Sequence, residues 1–154
     1  MKIIYCDKWS NTRRKPWNII DTSQAHKNHI NKTPYTVLIQ ENDKIKVIVE
    51  FTKFYVSVNF LNEFLNSYLR YTFHLIDNDF LFLKVAYYYY YDEENHDMLE
   101  GTVFSFSENG YVTMVKRDYK TGEIEERELQ NDVSANWEEY PGFGKYENLL
   151  KVER

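Results

Sequence analysis

The sequence predicts a mainly β protein, a β-rich α+β single domain with little helix, built as an antiparallel meander that forms a curved sheet, a sandwich or an open barrel. Three observations predict it. Runs of alternating apolar and polar residues recur about every ten positions and are separated by short polar turns, the spacing of all-β domains. Aromatic residues make up 18% of the chain against only five glycines and three prolines, a composition that favours strands over bundles or disorder. The stretch Phe80 to Asp92, FLFLKVAYYYYYD, has apolar or aromatic side chains at both parities, as expected of a central strand covered on both sides for most of its length.

The elements follow in order. Lys2 to Tyr5 reads as a short strand, and residues 6–34 as a polar, basic, aperiodic excursion anchored on the core by Trp17, Ile19 and Ile20. Thr36 to Gln40 and Lys44 to Phe51 flank Glu41-Asn42-Asp43, whose residue types tolerate left-handed backbone and predict a hairpin. Phe54 to Phe60 alternates, placing Phe54, Val56, Val58 and Phe60 on one face. Leu61 to Asn66 fits a short helix or a wide turn. Tyr68 to Leu75 alternates again, and Asp77-Asn78-Asp79 turns into the central strand. Strict alternation there sets Leu81, Leu83, Val85, Tyr87, Tyr89 and Tyr91 on one face, opposite Phe82, Ala86, Tyr88 and Tyr90. Thr102 to Phe106 and Tyr111 to Lys116 enclose Asn109-Gly110, a strong hairpin signal. Asp118 to Gly122 then leads into Glu123 to Leu129. The chain therefore divides into a basic excursion (1–34), a meander (35–130) of roughly seven to nine strands, and an aromatic tail (131–154). In the tail, Trp137, Tyr140, Phe143 and Tyr146 are expected to pack on the sheet, with a short helix over Lys145 to Lys151.

Composition bounds the rest. At 154 residues a single domain buries roughly two thirds of its unfolded surface. Cys6 is the only cysteine, which rules out an intrachain disulfide. The apolar start is too short for the hydrophobic region of a signal peptide, and no stretch approaches the roughly 20 apolar residues that span a bilayer. The expectation is a cytoplasmic protein with no membrane contact. A net charge of −5 conceals an asymmetry: residues 1–34 carry seven Lys/Arg against two Asp, and residues 35–154 carry twelve against twenty-two Asp/Glu. Such a body disfavours nucleic acid as a direct partner and favours a basic protein.

Catalytic chemistry finds little support. Glu123, Glu125, Glu126 and Glu128 offer paired carboxylates, but their strand lacks apolar alternation and reads as a charged edge. Cys6 has no nearby histidine in sequence and reads as a buried thiol. His26 and His29 have a helical-turn spacing but no companion ligand motif, and Arg13-Arg14-Lys15 reads as a solvated loop. No phosphate-binding glycine loop exists. No catalytic residue, metal or cofactor is expected. The far end of the tyrosine run is different: Tyr90 and Tyr91 lead straight into Asp92, Glu93 and Glu94, with Asp97 and Glu100 close behind. Aromatic anchors with an acidic rim suit a basic protein partner.

The tail Asp132-Val133-Ser134-Ala135-Asn136-Trp137-Glu138, followed by Pro141-Gly142-Phe143-Gly144-Lys145-Tyr146-Glu147-Asn148-Leu149-Leu150, resembles the ending of small proteins that bacteria encode beside contact-dependent growth inhibition and other polymorphic toxins. The stretch Phe60 to Asp92 is similar as well. The resemblance implies an immunity protein, a cytoplasmic antitoxin that binds the cognate toxin's C-terminal domain and blocks its active site or substrate access. Such toxins are commonly nucleases with basic clefts, which an acidic partner complements. Contact residues do not carry over, because such families diversify at the interface. The expected toxin-binding residues, Tyr90, Tyr91, Asp92, Glu93, Glu94, Asp97 and Glu100, come from charge and exposure alone. Two rivals remain: a small-ligand-binding or enzymatic β-barrel with a tyrosine-lined cavity, and an oligomerising module.

Overall fold

The computed structural model describes residues 1–154. One antiparallel sheet dominates: β1 (Lys2–Ser10), β2 (Lys15–Ile20), β3 (Tyr35–Glu41), β4 (Lys44–Phe51), β5 (Tyr55–Leu61), β6 (Ser67–Ile76), β7 (Phe80–Tyr91), β8 (Met98–Phe106), β9 (Tyr111–Asp118), β10 (Ile124–Gln130) and β11 (Trp137–Glu139). Its only α-helix, α1 (Thr22–Asn31), links β2 to β3. The spatial order is β10-β9-β8-β7-β6-β5-β4-β3-β1-β2, so the sheet stays open, with β2 and β10 as its edges. From β4 to β10 each strand pairs with its predecessor in sequence, the meander that the turn spacing implies, whereas β3 pairs with β1. The short β11 pairs with Phe80–Phe82 of β7, beyond the stretch from Val85 onward that pairs with β8.

Turn chemistry sets the register. Glu41 faces Lys44 across a two-residue loop in which Asn42 (φ 51°) and Asp43 (φ 61°) are both left-handed, the twist that two-residue hairpins prefer. At Asn109-Gly110 the glycine has φ 92°, and a Cβ there would lie 2.5 Å from the Asn131 carbonyl oxygen. Only glycine fits. Residues Asn62–Asn66 form a wide turn rather than a helix: the Asn62 carboxamide accepts from the Phe64 and Asn66 amides at 2.9 and 3.0 Å.

Three expectations for the N-terminal half are corrected. The first strand continues to Ser10, and the supposed excursion supplies β2 and α1. The helix is capped by Asp21, whose carboxylate accepts from the Gln24 amide at 2.8 Å, and it stops where Lys32 turns left-handed (φ 53°). Of the three expected anchors only Ile20 packs on the core; Trp17 and Ile19 are exposed because they sit on an edge strand. Phe54 is exposed too, since it belongs to the Thr52–Tyr55 turn and not to β5.

The face assignment within β7 also needs correction. Thr72 faces Val85 while Phe73 faces Leu83, which leaves Lys84 as an extra residue, a β-bulge. One unpaired residue inverts the parity of everything after it. The core face of β7 is therefore Leu81, Leu83, Ala86 and Tyr88, opposite Leu75, Phe73, Tyr71 and Leu69 of β6. Val85, Tyr87, Tyr89 and Tyr91 are carried to the other face.

On the core face, β1 and β3–β7 pack with Ala25 of the helix and with Tyr146 and Leu149 of the tail in one cluster, joined by Tyr140 and Phe143. Leu83 is deeply buried, as expected. The tail lies extended, and its expected terminal helix reduces to one 3-10 turn at Glu147–Leu149. Beneath it, His29 Nε2 lies 2.9 Å from the Pro141 carbonyl and Nδ1 2.8 Å from the Tyr35 hydroxyl, which lies 3.2 Å from that of Tyr146. A carbonyl can only accept, so Nε2 carries the hydrogen. Tyr35 then donates to Nδ1 and Tyr146 to Tyr35. Burial holds His29 below the ordinary histidine range and keeps it neutral. On the opposite face Cys6, Trp9, Leu38, Ile48 and Leu61 form a second, smaller cluster.

Candidate protein-binding surface

The acidic loop after the tyrosine run is a tight structure. The Asp92 carboxylate accepts from the Glu94 and Asn95 amides at 2.8 and 3.1 Å, and these two donors hold its carboxyl below the usual range. The Asp92 amide closes the loop on the Asp97 carbonyl, and His96 turns left-handed. Asp92 thus builds the turn, while Glu93, Glu94 and Asp97 project into solvent without a cationic partner.

The two expected anchors separate. Tyr91 donates its hydroxyl to the Ser67 carbonyl at 2.6 Å and faces away from the core. Tyr90, 57% exposed, stands on the other face beside Glu100, which in turn faces Asp118 across β8 and β9. Tyr90, Glu100 and Asp118 therefore form a row across three strands, and this third member was absent from the expected set. Register alone reveals it. Glu100 pairs with Lys116 at 2.7 Å. The row ends in an open depression of about 530 Å³ lined by Glu100, Lys116, Asp118, Glu123, Ile124 and Glu125. Four of those six side chains are carboxylates. Glu123 and Glu125, read from the sequence as edge guards, are exposed, Glu125 in an ion pair with Arg127 at 2.6 Å, and they extend the same acidic surface.

The remaining candidates do not assemble into chemistry. Cys6 is fully buried, and burial pushes its thiol up to about 11, far from a reactive thiolate. His26 stacks on Phe143 with ring centroids 4.7 Å apart, and His29 is committed to Tyr35 and Pro141. No three His, Cys, Asp or Glu side chains converge as a metal site would require. No helix is long and apolar enough to cross a membrane.

A cationic cleft on the opposite face escaped the sequence reading. It brings Arg14, from a loop taken as merely solvated, to Arg70 of β6. The available signal was Arg70 itself, the lone charge within the apolar run Tyr68 to Leu75.

Fold and surface define an open antiparallel sheet covered on one side by a helix and an aromatic tail, with an acidic, tyrosine-bearing corner. Comparison with known protein families, curated proteins and solved structures found no match for this chain.

Proposed function

We propose that this chain is a non-enzymatic, cytoplasmic immunity protein that binds a basic toxin domain, a nuclease by preference, and blocks its active site or substrate access. One observation carries the reading: the exposed Tyr90 stands in a row with Glu100 and Asp118, next to the unpaired carboxylates of Glu93, Glu94 and Asp97. An exposed ring gives a rigid anchor, and surrounding negative charge steers a cationic partner and sets its orientation. The tail resemblance supplies the biological class. The chemistry of a nuclease cleft, which must attract phosphates, supplies the complementary charge.

The test begins with capture from the native host lysate at low salt, elution at high salt, and titration of the captured domain's toxic activity with the purified protein. Complete inhibition at one equivalent is the expected result. Undiminished activity at molar excess would reject the proposal. Reversing Glu93 and Asp97 to lysine should lower the association rate about tenfold or more and flatten its salt dependence; an unchanged rate would remove this corner from the interface.

A further inference from the structure

We infer that the cleft on the face opposite Tyr90 is a binding site for a small carboxylate carried on a flat apolar ring. The cleft has a volume of about 240 Å³ and is lined from six strands and two turns. Its position follows from the curl of the sheet. The β1–β2 turn reaches across β3 and β4 to the β5–β6 turn, where the Arg14 guanidinium donates to the Phe64 carbonyl and, at 3.1 Å, to the Asn66 carboxamide. His96 from the β7–β8 turn stacks on Phe64 at 3.7 Å and closes that rim.

Charge distinguishes this cleft from the rest of the protein. The chain carries five more acidic than basic side chains, yet the twelve residues lining the cleft include two arginines and no carboxylate. Neither arginine belongs to any of the four ion pairs. Arg70 is half-buried. Its Nε donates to the Ser57 hydroxyl at 3.0 Å and its guanidinium lies 5.9 Å from the Tyr87 ring centre, which leaves both terminal nitrogens without a protein acceptor. A partly desolvated cation without a counter-charge is a costly arrangement that an anion would relieve.

The neighbouring groups add donors rather than acceptors. Asn59 spends its carbonyl oxygen on the Ser67 hydroxyl at 3.2 Å, so its amide hydrogens remain free. Tyr89 adds a phenol to the lining. A guanidinium with two open N–H groups matches a carboxylate in a forked pair, while Trp9, Leu61, Leu65 and Tyr89 offer apolar and aromatic walls against which a ring can lie. The volume restricts the occupant to a single small ring with its acid group.

Tyr90 and the cleft lie on opposite faces of β7 and only the Asp92–Asp97 loop borders both, so failure of one proposal leaves the other standing. Titration of the full chain with benzoate, followed by NMR chemical shifts, tests it against acetate, which has the charge without the ring, and benzyl alcohol, which has the ring without the charge. Benzoate should bind saturably and at least tenfold more tightly than either, shifting resonances of Trp9 and Tyr89. Arg70→Gln should weaken it tenfold or more. Asn59→Asp, which keeps the acceptor for Ser67 and places a negative charge in the cleft, should do the same and decides the matter if Arg70→Gln does not fold. Benzoate binding no tighter than the two controls, or unaffected by Asn59→Asp, would overturn the assignment.

Discussion

The two ends of the sheet obey the same pairing rules and differ in what covers them. From β1 and β3 to β7 the core face is sealed by α1 and the tail, and most of its side chains are fully buried. At the other end β10 pairs along its whole length with β9, yet all seven of its residues are exposed. Hydrogen bonding alone therefore extends a sheet but does not make it a core. The uncovered end is free to carry charge, and there the acidic corner sits.

Substitutions sharpen this contrast. The largest expected effect is at Phe73, which has no exposed surface: Phe73→Ala should cost about 3–5 kcal/mol in chemical denaturation. Leu83→Ala should cost about 2–5 kcal/mol, because Leu83 is buried in the main core cluster opposite Phe73 of β6; a loss below about 1 kcal/mol would mean that the covered end is not the core. Acid should act selectively on the same region. The folded state holds His29 below its ordinary value, so the unfolded chain binds the proton first as pH falls. The contribution of His29 is fully present above pH ~6.5 and declines below it. In His29→Gln that part of the stability change between pH 7 and pH 5 should vanish, and an unaltered profile would assign the acid sensitivity to other groups. At the uncovered end, Glu126→Gln should stay within about 0.5 kcal/mol of the parent. A clear loss there would erase the distinction between the two ends.

Legibility in the sequence followed the same divide between local and global causes. Hairpin turns were readable because Asn42-Asp43 and Asn109-Gly110 carry their backbone preference in their own residue types. Val56 and Val58 were readable as core because they lie in a locally clean alternation, and Leu83 because apolar residues at both parities mark its strand as covered on both sides. The bulge at Lys84 was not, since it is settled by pairing with β6, and it reverses the expected face of all five tyrosines from Tyr87 to Tyr91. Helix α1 was hidden because its buried positions are Ala25, Asn28 and His29, too polar to show a hydrophobic period. Asp21 followed by Gln24 was the overlooked start signal. At the acidic corner the charges were legible and the separation of Tyr90 from Tyr91 was legible only as alternation. Asp118 required the β8–β9 register, and the Arg14–Arg70 cleft required the curl of the whole sheet.

Synthesis order gives the tail a further significance. A ribosome completes the ten strands β1 to β10 of the sheet before it makes Tyr140, Tyr146 and Leu149, the side chains that close the core face. Until then the nascent sheet presents an open apolar surface, and the His29 ring lacks the Pro141 carbonyl that fixes its hydrogen. The final segment works as a seal applied after assembly, so chains interrupted within it should be sticky and protease-sensitive although every meander strand is already present.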